Sequence, residues 1–312
     1  SGNSNITQMQ SYTITKAQGS INLLLNNTAN NITLSYPSQI NASSISSTNQ
    51  TIQLLRNNIN ITSQNNLFQN LAADYYNFTA IALENQNYTT SAITLFVNLT
   101  KGYLSGTITI SPAQTATYPA QTTVNGSENN QGDEDILYLL TRNLIQTSNP
   151  ETLTLSVGAY NYTYNTTEGQ NWTSSILDSK ILTINQAIGD ARTLLNHSRS
   201  NITIEINSTI QINSTLFAGQ FGSLNLTQNN IQLNFSTNSN LTYTQTFNAL
   251  GNFLINTSYS GNINYSSDIE AWFVKVIDST SPVITQLTEF PLDPATYSLN
   301  NIYQFNASIT DN

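Results

Sequence analysis

The chain has 312 residues, of which only 8% are charged, with a formal net charge of −9 and a pI near 4.3. Eight Lys and Arg cannot form the basic footprint of a nucleic-acid binder, and the acidic excess repels anionic lipids and nucleic acids at neutral pH. With no cysteine and one histidine, disulfides, Cys–His catalysis and zinc sites of the usual kind are excluded. So few carboxylates leave little ion pairing to lose in acid, so stability need not collapse at low pH.

The SGNSN start reads as a mature N-terminus, and no run reaches the roughly 18 apolar residues of a membrane span. Membrane attachment is therefore expected only through an anchor outside this chain. In QMQSYTITK (Gln8–Lys16), Tyr12 and Ile14 alternate with polar residues. Such a segment is an edge strand, a tail or a strand donated to another subunit. KAQGSINLLLNN (Lys16–Asn27) and the stretch Asn65–Asn85 have helix-like spacing, the latter with Leu67, Leu71 and Ala82 on one face. SAITLFVNLT and YLSGTITIS read as strands joined at Lys101–Gly102.

Residues 1–110 thus form a first domain of mixed strand and helix, and 111–132, rich in Pro, Ser, Thr and Asn, a linker. Residues 133–278 read as a β-sandwich with helical insertions. DEDILYLLTRNLIQTS predicts a helix carrying Ile136, Leu139, Leu140 and Leu144 on one stripe. TLTLSVGAYNYTYN predicts a strand pair or one bulged strand. Asp178–Ser198 predicts a second helix, capped by Asp178. From Asn201 to Asp278 apolar and polar residues alternate in strands about ten residues apart, which suits a sandwich.

Asn-X-Ser/Thr acceptor tripeptides run through the whole chain. They begin at Asn5, Asn26, Asn31, Asn41, Asn49, Asn60, Asn77, Asn87, Asn98, Asn125, Asn161 and Asn165. They continue at Asn171, Asn196, Asn201, Asn207, Asn213, Asn225, Asn234, Asn240, Asn256, Asn264 and Asn306. A chain this rich in Asn, Ser and Thr would give about ten by chance, so the excess is roughly twofold. Strand phase supports attached sugar. In NITIEINSTIQINSTL, Asn201, Asn207 and Asn213 fall on the face opposite Ile202, Ile204, Ile206, Ile210 and Ile212. By the same phase Asn98 opposes Leu95, Val97 and Leu99. Asn234 opposes Ile231, Leu233 and Phe235, Asn240 opposes Leu241 and Tyr243, and Asn256 opposes Phe253, Ile255 and Tyr259.

Candidates for chemistry are few. Gly132-Asp133-Glu134-Asp135 offers carboxylates for calcium or, more ordinarily, for capping the helix that follows. Asp268 and Glu270, two apart on a strand, are the carboxylate pair of a candidate acid hydrolase or two solvated acids. Tyr160, Tyr162 and Tyr164 share one strand face, for sugar binding or for cross-strand packing. His197, inside a sequon, reads as a solvated loop or helix end. No catalytic residue, cofactor site or metal site is assigned; the sites assigned are the acceptor asparagines.

DSTSPVITQLTEFPLDPATYSLNNIYQFNASITDN resembles the opening of the immunoglobulin-like repeats of prokaryotic surface proteins. The resemblance implies that 279–312 are the first strands of an incomplete Ig-like domain. The fold class expected is mainly β: Ig-like β-sandwich domains in series with a few helices. Dense sequons, scarce charge and strings such as NITIEINSTIQINST resemble extracellular glycoproteins of thermoacidophilic, Sulfolobales-type archaea. That resemblance implies a structural, non-enzymatic glycoprotein of the cell surface: a small membrane-anchored S-layer subunit or the subunit of a thread- or pilus-like filament. Its partners would be its own copies or another surface-layer protein, with no nucleic acid and no cofactor beyond N-linked glycans. The alternatives are a secreted acid-stable hydrolase and a surface adhesin or binding module.

Overall fold

The computed structural model describes residue 2 and residues 9–130, 132–217 and 220–311. Asn5 and Gln8 lie outside them. Described residues build strands β1 to β26 and a single 3-10 turn at Thr62–Gln64. The chain divides into two compact units. One runs to Leu182 without Thr115–Gln121 and Thr154–Gly158; the other takes those two segments and everything from Thr183 onward.

Twenty-four of these strands form three sandwiches of eight. The first takes β1 (Asn22–Leu25), β2 (Ile32–Ser35), β3 (Gln39–Ile45), β4 (Ile52–Arg56), β5 (Ile59–Asn60), β6 (Phe68–Asn70), β7 (Asp74–Ala82) and β8 (Ser91–Thr100). The second takes β9 (Gly106–Ser111), β10 (Thr115–Thr117), β11 (Gln121–Glu128), β12 (Tyr138–Arg142), β13 (Ile145–Gln146), β14 (Glu151–Thr154), β15 (Gly158–Thr166) and β16 (Ser175–Asn185). The third takes β17 (Ala191–Leu195), β18 (Ile202–Glu205), β19 (Thr209–Leu216), β20 (Leu224–Gln228), β21 (Ile231–Ser236), β22 (Asn240–Thr246), β23 (Gly251–Tyr259) and β24 (Asp268–Ile277).

Each sandwich repeats one topology. A three-stranded sheet joins the first, third and sixth strands; a five-stranded sheet runs second, eighth, seventh, fourth, fifth. The second strand pairs parallel with the eighth, as Ile32–Ser35 does with Val97–Thr100, while the first and third strands pair antiparallel, as Asn22–Leu25 does with Ala42–Ile45. This is an immunoglobulin-like sandwich three times in series. β25 (Val283–Phe290) and β26 (Gln304–Thr310) follow as a two-stranded antiparallel hairpin.

Alternation makes the cores. In the first sandwich Leu23, Leu25, Ile40, Leu54, Phe78, Val97 and Leu99 point between the sheets and are almost wholly buried. Each such side chain contributes about 1.5–3 kcal/mol relative to exposure. The phase also holds for Asn98, which is exposed between buried Val97 and Leu99, and for Asn201, which faces away from Ile202. It fails at Asn234, because β21 is an edge strand whose Ile231 and Phe235 are themselves exposed.

The expected helices are absent from the described residues. Ile136 and Leu140 are buried and Leu139 is half-buried, but Leu144 is 87% exposed, because β12 and β13 form a hairpin that turns at Asn143-Leu144. Asp178–Ser198 is β16 and β17, Asn65–Asn85 holds β6 and β7, and Lys16–Asn27 holds β1. Apolar residues four apart satisfy a strand's period as well as a helix's, and the Asn and Thr between them are weak helix formers. Residues 111–132, read as a linker, contain β10 and β11, paired with β16 and β9. β8 and β9 are strands as expected but form no hairpin: they belong to successive sandwiches.

Asparagine has a structural use that its sequons conceal. Apart from Leu144 and His197, every described non-glycine residue with positive φ is an asparagine. The left-handed region is costly for most side chains, and Asn tolerates it best after glycine. Asn57-Asn58, Asn143-Leu144 and Asn229-Asn230 close the β4–β5, β12–β13 and β20–β21 hairpins in left-handed pairs, the geometry that suits right-twisted strands.

Candidate functional site

The first asparagine of each of these pairs acts as an extra strand residue. Asn57 Oδ1 accepts from the Asn77 N–H at 3.0 Å, Asn143 Oδ1 from Asn161 at 2.9 Å and Asn229 Oδ1 from Leu254 at 2.9 Å. Their own N–H groups donate back to the carbonyls of the same three residues. Asn26 and Asn196 do likewise at the turn between the first two strands, accepting from Asn41 and Gln211 N–H at 2.6 and 2.9 Å. Asn31 and Asn201 fasten the second strand to the eighth, accepting from Phe96 and Phe273. His197 is the exposed second residue of the Asn196 turn, with φ 70°. It ends no helix.

The acceptor asparagines divide by exposure. Asn31, Asn49, Asn60, Asn87, Asn98, Asn161, Asn196, Asn201, Asn207, Asn240 and Asn306 are exposed. Asn26, Asn77, Asn125, Asn165, Asn171, Asn213, Asn225, Asn234, Asn256 and Asn264 are half-buried, and Asn41 is buried. Sequence phase cannot separate these groups. Which neighbours crowd an outward-facing carboxamide depends on the strand beside it.

The acidic candidates serve the fold. Gly132-Asp133-Glu134-Asp135 precedes a strand, not a helix. Asp133 accepts from the Asn171 side chain and Asp135 from the Gln170 N–H, so both hold the turn between β15 and β16. Among the described residues no group of three or more His, Asp or Glu is arranged to hold a metal ion. Asp268 Oδ2 accepts from the Ala191 N–H at 2.8 Å, and Glu270 from the Thr193 N–H and, at 2.7 Å, from Arg199 Nε. These carboxylates tie the eighth strand of the third sandwich to its first. Asp178 does the same for Ile108 in the second sandwich. Arg192 hydrogen-bonds Asp190 at 2.7 Å and holds its carboxyl below the usual carboxylate range.

Two of the three tyrosines in the row are core, and Tyr160 is half-buried. Tyr162 and Tyr164 are 1% exposed. Tyr162 Oη donates to Glu151 at 2.6 Å, and Arg142 pairs with that carboxylate at 3.1 Å. Burial, then Glu151, pushes the Tyr162 phenol far above its ordinary range; burial, then Glu128, pushes Tyr164 up to about 12. Neither of these two rings is presented to a ligand; both pack between the sheets.

No protein-family model and no curated protein matches the chain. Solved structures similar to it are tandem sandwich proteins. A titin I-band fragment, I67–I69, is 11% identical over 84% of this chain and 100% of that one, with a TM-score of 0.33. Sidekick-1 immunoglobulin domains 1–5 are 16% identical over 86% of this chain and 62% of that one, with a TM-score of 0.26. The fibronectin(III)-like modules of Clostridium thermocellum CbhA are 13% identical over 55% and 95%, with a TM-score of 0.25. The fold rests on the strand order itself, which recurs in all three sandwiches. No helix among the described residues is long and apolar enough to cross a membrane.

Proposed function

We propose that this chain is an extracellular surface glycoprotein in which serial Ig-like sandwiches act as an adhesive or binding array. The observation that carries the reading is the repetition. Three sandwiches of one topology stand in series, and the candidate catalytic acids are engaged in holding strands together. Binding then belongs to sheet faces and loops, and glycans on exposed asparagines such as Asn98 and Asn240 limit which faces are open. Beads coated with the purified chain test this. Clumping with one another or with cells, abolished by a soluble excess of the chain, is expected; no clumping in either mixture overturns it.

A second reading is favoured by the β25–β26 hairpin. Val283, Leu287, Phe290, Phe305 and Ile309 are each more than 60% exposed there, and an isolated two-stranded sheet is marginal in water. Strands that complete such a hairpin come either from a continuation of the same chain or from a second copy, and the latter suits a subunit that packs against copies of itself, as in the surface layers or filaments of Sulfolobales-type archaea. Negative-stain microscopy at acidic pH separates the readings: a lattice or regular filaments favour assembly, monodisperse particles the adhesin.

A further inference from the structure

Three turns between seventh and eighth strands carry one sequence pattern. Glu84-Asn85-Gln86-Asn87-Tyr88-Thr89-Thr90-Ser91 matches Glu168-Gly169-Gln170-Asn171-Trp172-Thr173-Ser174-Ser175, and Asn262-Ile263-Asn264-Tyr265-Ser266 repeats its centre. All three central asparagines head a sequon. Their surroundings differ.

Asn171 is consumed on both sides. Its Oδ1 accepts from the Ala73 N–H at 2.8 Å, and its Nδ2 donates to Asp133 Oδ2. Gln170 Nε2 holds the Ala73 carbonyl at 3.1 Å, and the buried ring of Trp172 meets Tyr36 edge-on at 5.1 Å. Asn264 repeats the carbonyl contact, accepting from Val157 N–H at 3.0 Å. At Asn87 only the backbone is used, its N–H donating to Asn85 Oδ1 and its carbonyl accepting from the Ala17 N–H, both at 2.9 Å; the side chain is exposed and its carboxamide bonds to no described residue. Two further sequons are closed, one by hydrogen bonds as at Asn171 and one by burial alone. Asn26 uses both ends of its carboxamide, with Asn41 N–H and the Gln39 carbonyl, and Asn41 is 6% exposed.

We propose that Asn87 is a glycan attachment site, that its counterpart Asn171, with Asn26, is a locked sequon kept for structure, and that Asn41 is closed to sugar by burial. This rests on the glycoprotein reading and says which acceptors serve it. In the transfer, Nδ2 bonds to the anomeric carbon of an activated sugar phosphate brought by a glycosyltransferase. The phosphate leaves with the bonding electron pair, and Nδ2 gives one of its two protons to the enzyme's base. A sugar needs open space around Nδ2. Asn87 has it. At Asn171 the sugar must displace Asp133 and prise the turn from Ala73.

The test is intact-glycopeptide mass spectrometry of the native full chain, with melting curves of Asn87→Ala and Asn171→Ala. Expected are sugar on the Asn87 peptide, bare peptides at Asn171, Asn26 and Asn41, a Tm lower by roughly 3 °C for Asn171→Ala and by less than roughly 1 °C for Asn87→Ala. Sugar on Asn171, or a bare Asn87 beside occupied Asn98 and Asn240, overturns the inference alone. Bare peptides throughout overturn it together with the glycoprotein reading. Equal melting shifts for the two variants overturn the structural half.

Discussion

The second and third sandwiches fill one equivalent place between their sheets differently. In the second, Ile108 and Gly126 face each other across the ladder, and the Tyr164 ring lies over the glycine. A Cβ on Gly126 would sit 2.4 Å from Tyr164 Cδ2. In the third, the matching residues are Thr193, Ser214 and Thr257, all at most 2% exposed. Their hydroxyls join in a chain, with 2.7 Å from Thr193 to Thr257 and 2.7 Å from Thr257 to Ser214. The first sandwich has Leu23, Ser44 and Ala80 there, and the Ser44 hydroxyl donates to Asn65 Oδ1 at 3.2 Å. One topology therefore tolerates a ring on a glycine, a polar relay or a leucine and an alanine beside a single hydrogen-bonded serine, provided that volume and hydrogen bonds are satisfied.

The contrast breaks most sharply at Gly126. Gly126→Ala should cost about 3 kcal/mol, because a ring against backbone has nowhere to go. Urea unfolding measures it, and a smaller loss when Tyr164→Leu is added shows that the ring is the cause. Thr257→Val comes next. Two buried hydroxyls lose their common partner, for a loss of about 2 kcal/mol. The triple change Thr193→Val, Ser214→Ala, Thr257→Val should restore most of it, since nothing buried is then left unpaired.

Smaller again is Asn229→Ala, at about 1–2 kcal/mol for a lost clip and a side chain ill-suited to φ 50°. Asn229→Asp keeps the oxygen acceptor and should lose less. Smallest is Asp190. Its carboxyl titrates lower in the fold than unfolded, so its contribution is present above the unfolded value of about 3.9 and lost as pH falls through the folded one. Asp190→Asn should flatten the dependence of thermal stability on pH below about 4 by only a degree or two, since the pair is partly exposed.

Much of this was legible in the chain. The alternation from Asn201 to Asp278 and the strands flanking PLDPATYSLNN are where the sequence places them. Position 136 and its neighbours were not, because Ile136, Leu140 and Leu144 fit either period and only the turn at Asn143 decides. The signal was present: RNNI, RNLI and QNNI each sit between apolar runs, as two-residue hairpin turns do. The threefold repeat was hidden by its cores, where Leu23, Ile108 and Thr193 share a position but not a chemistry. The acid pair was placed on the correct strand, but its partners are backbone N–H groups, which no side-chain pattern reveals.

The parallel pairing of second and eighth strands has a mechanical consequence. In each sandwich these strands lie near where the chain enters and leaves it, joined along Ile32–Ser35, Thr115–Thr117 and Ile202–Glu205. Tension applied along the chain draws such a pair past itself lengthwise, so its hydrogen bonds share the load together. Were the pair antiparallel and pulled apart from one end, they would open one at a time. Each sandwich thus carries a latch that resists stretching, whatever it binds.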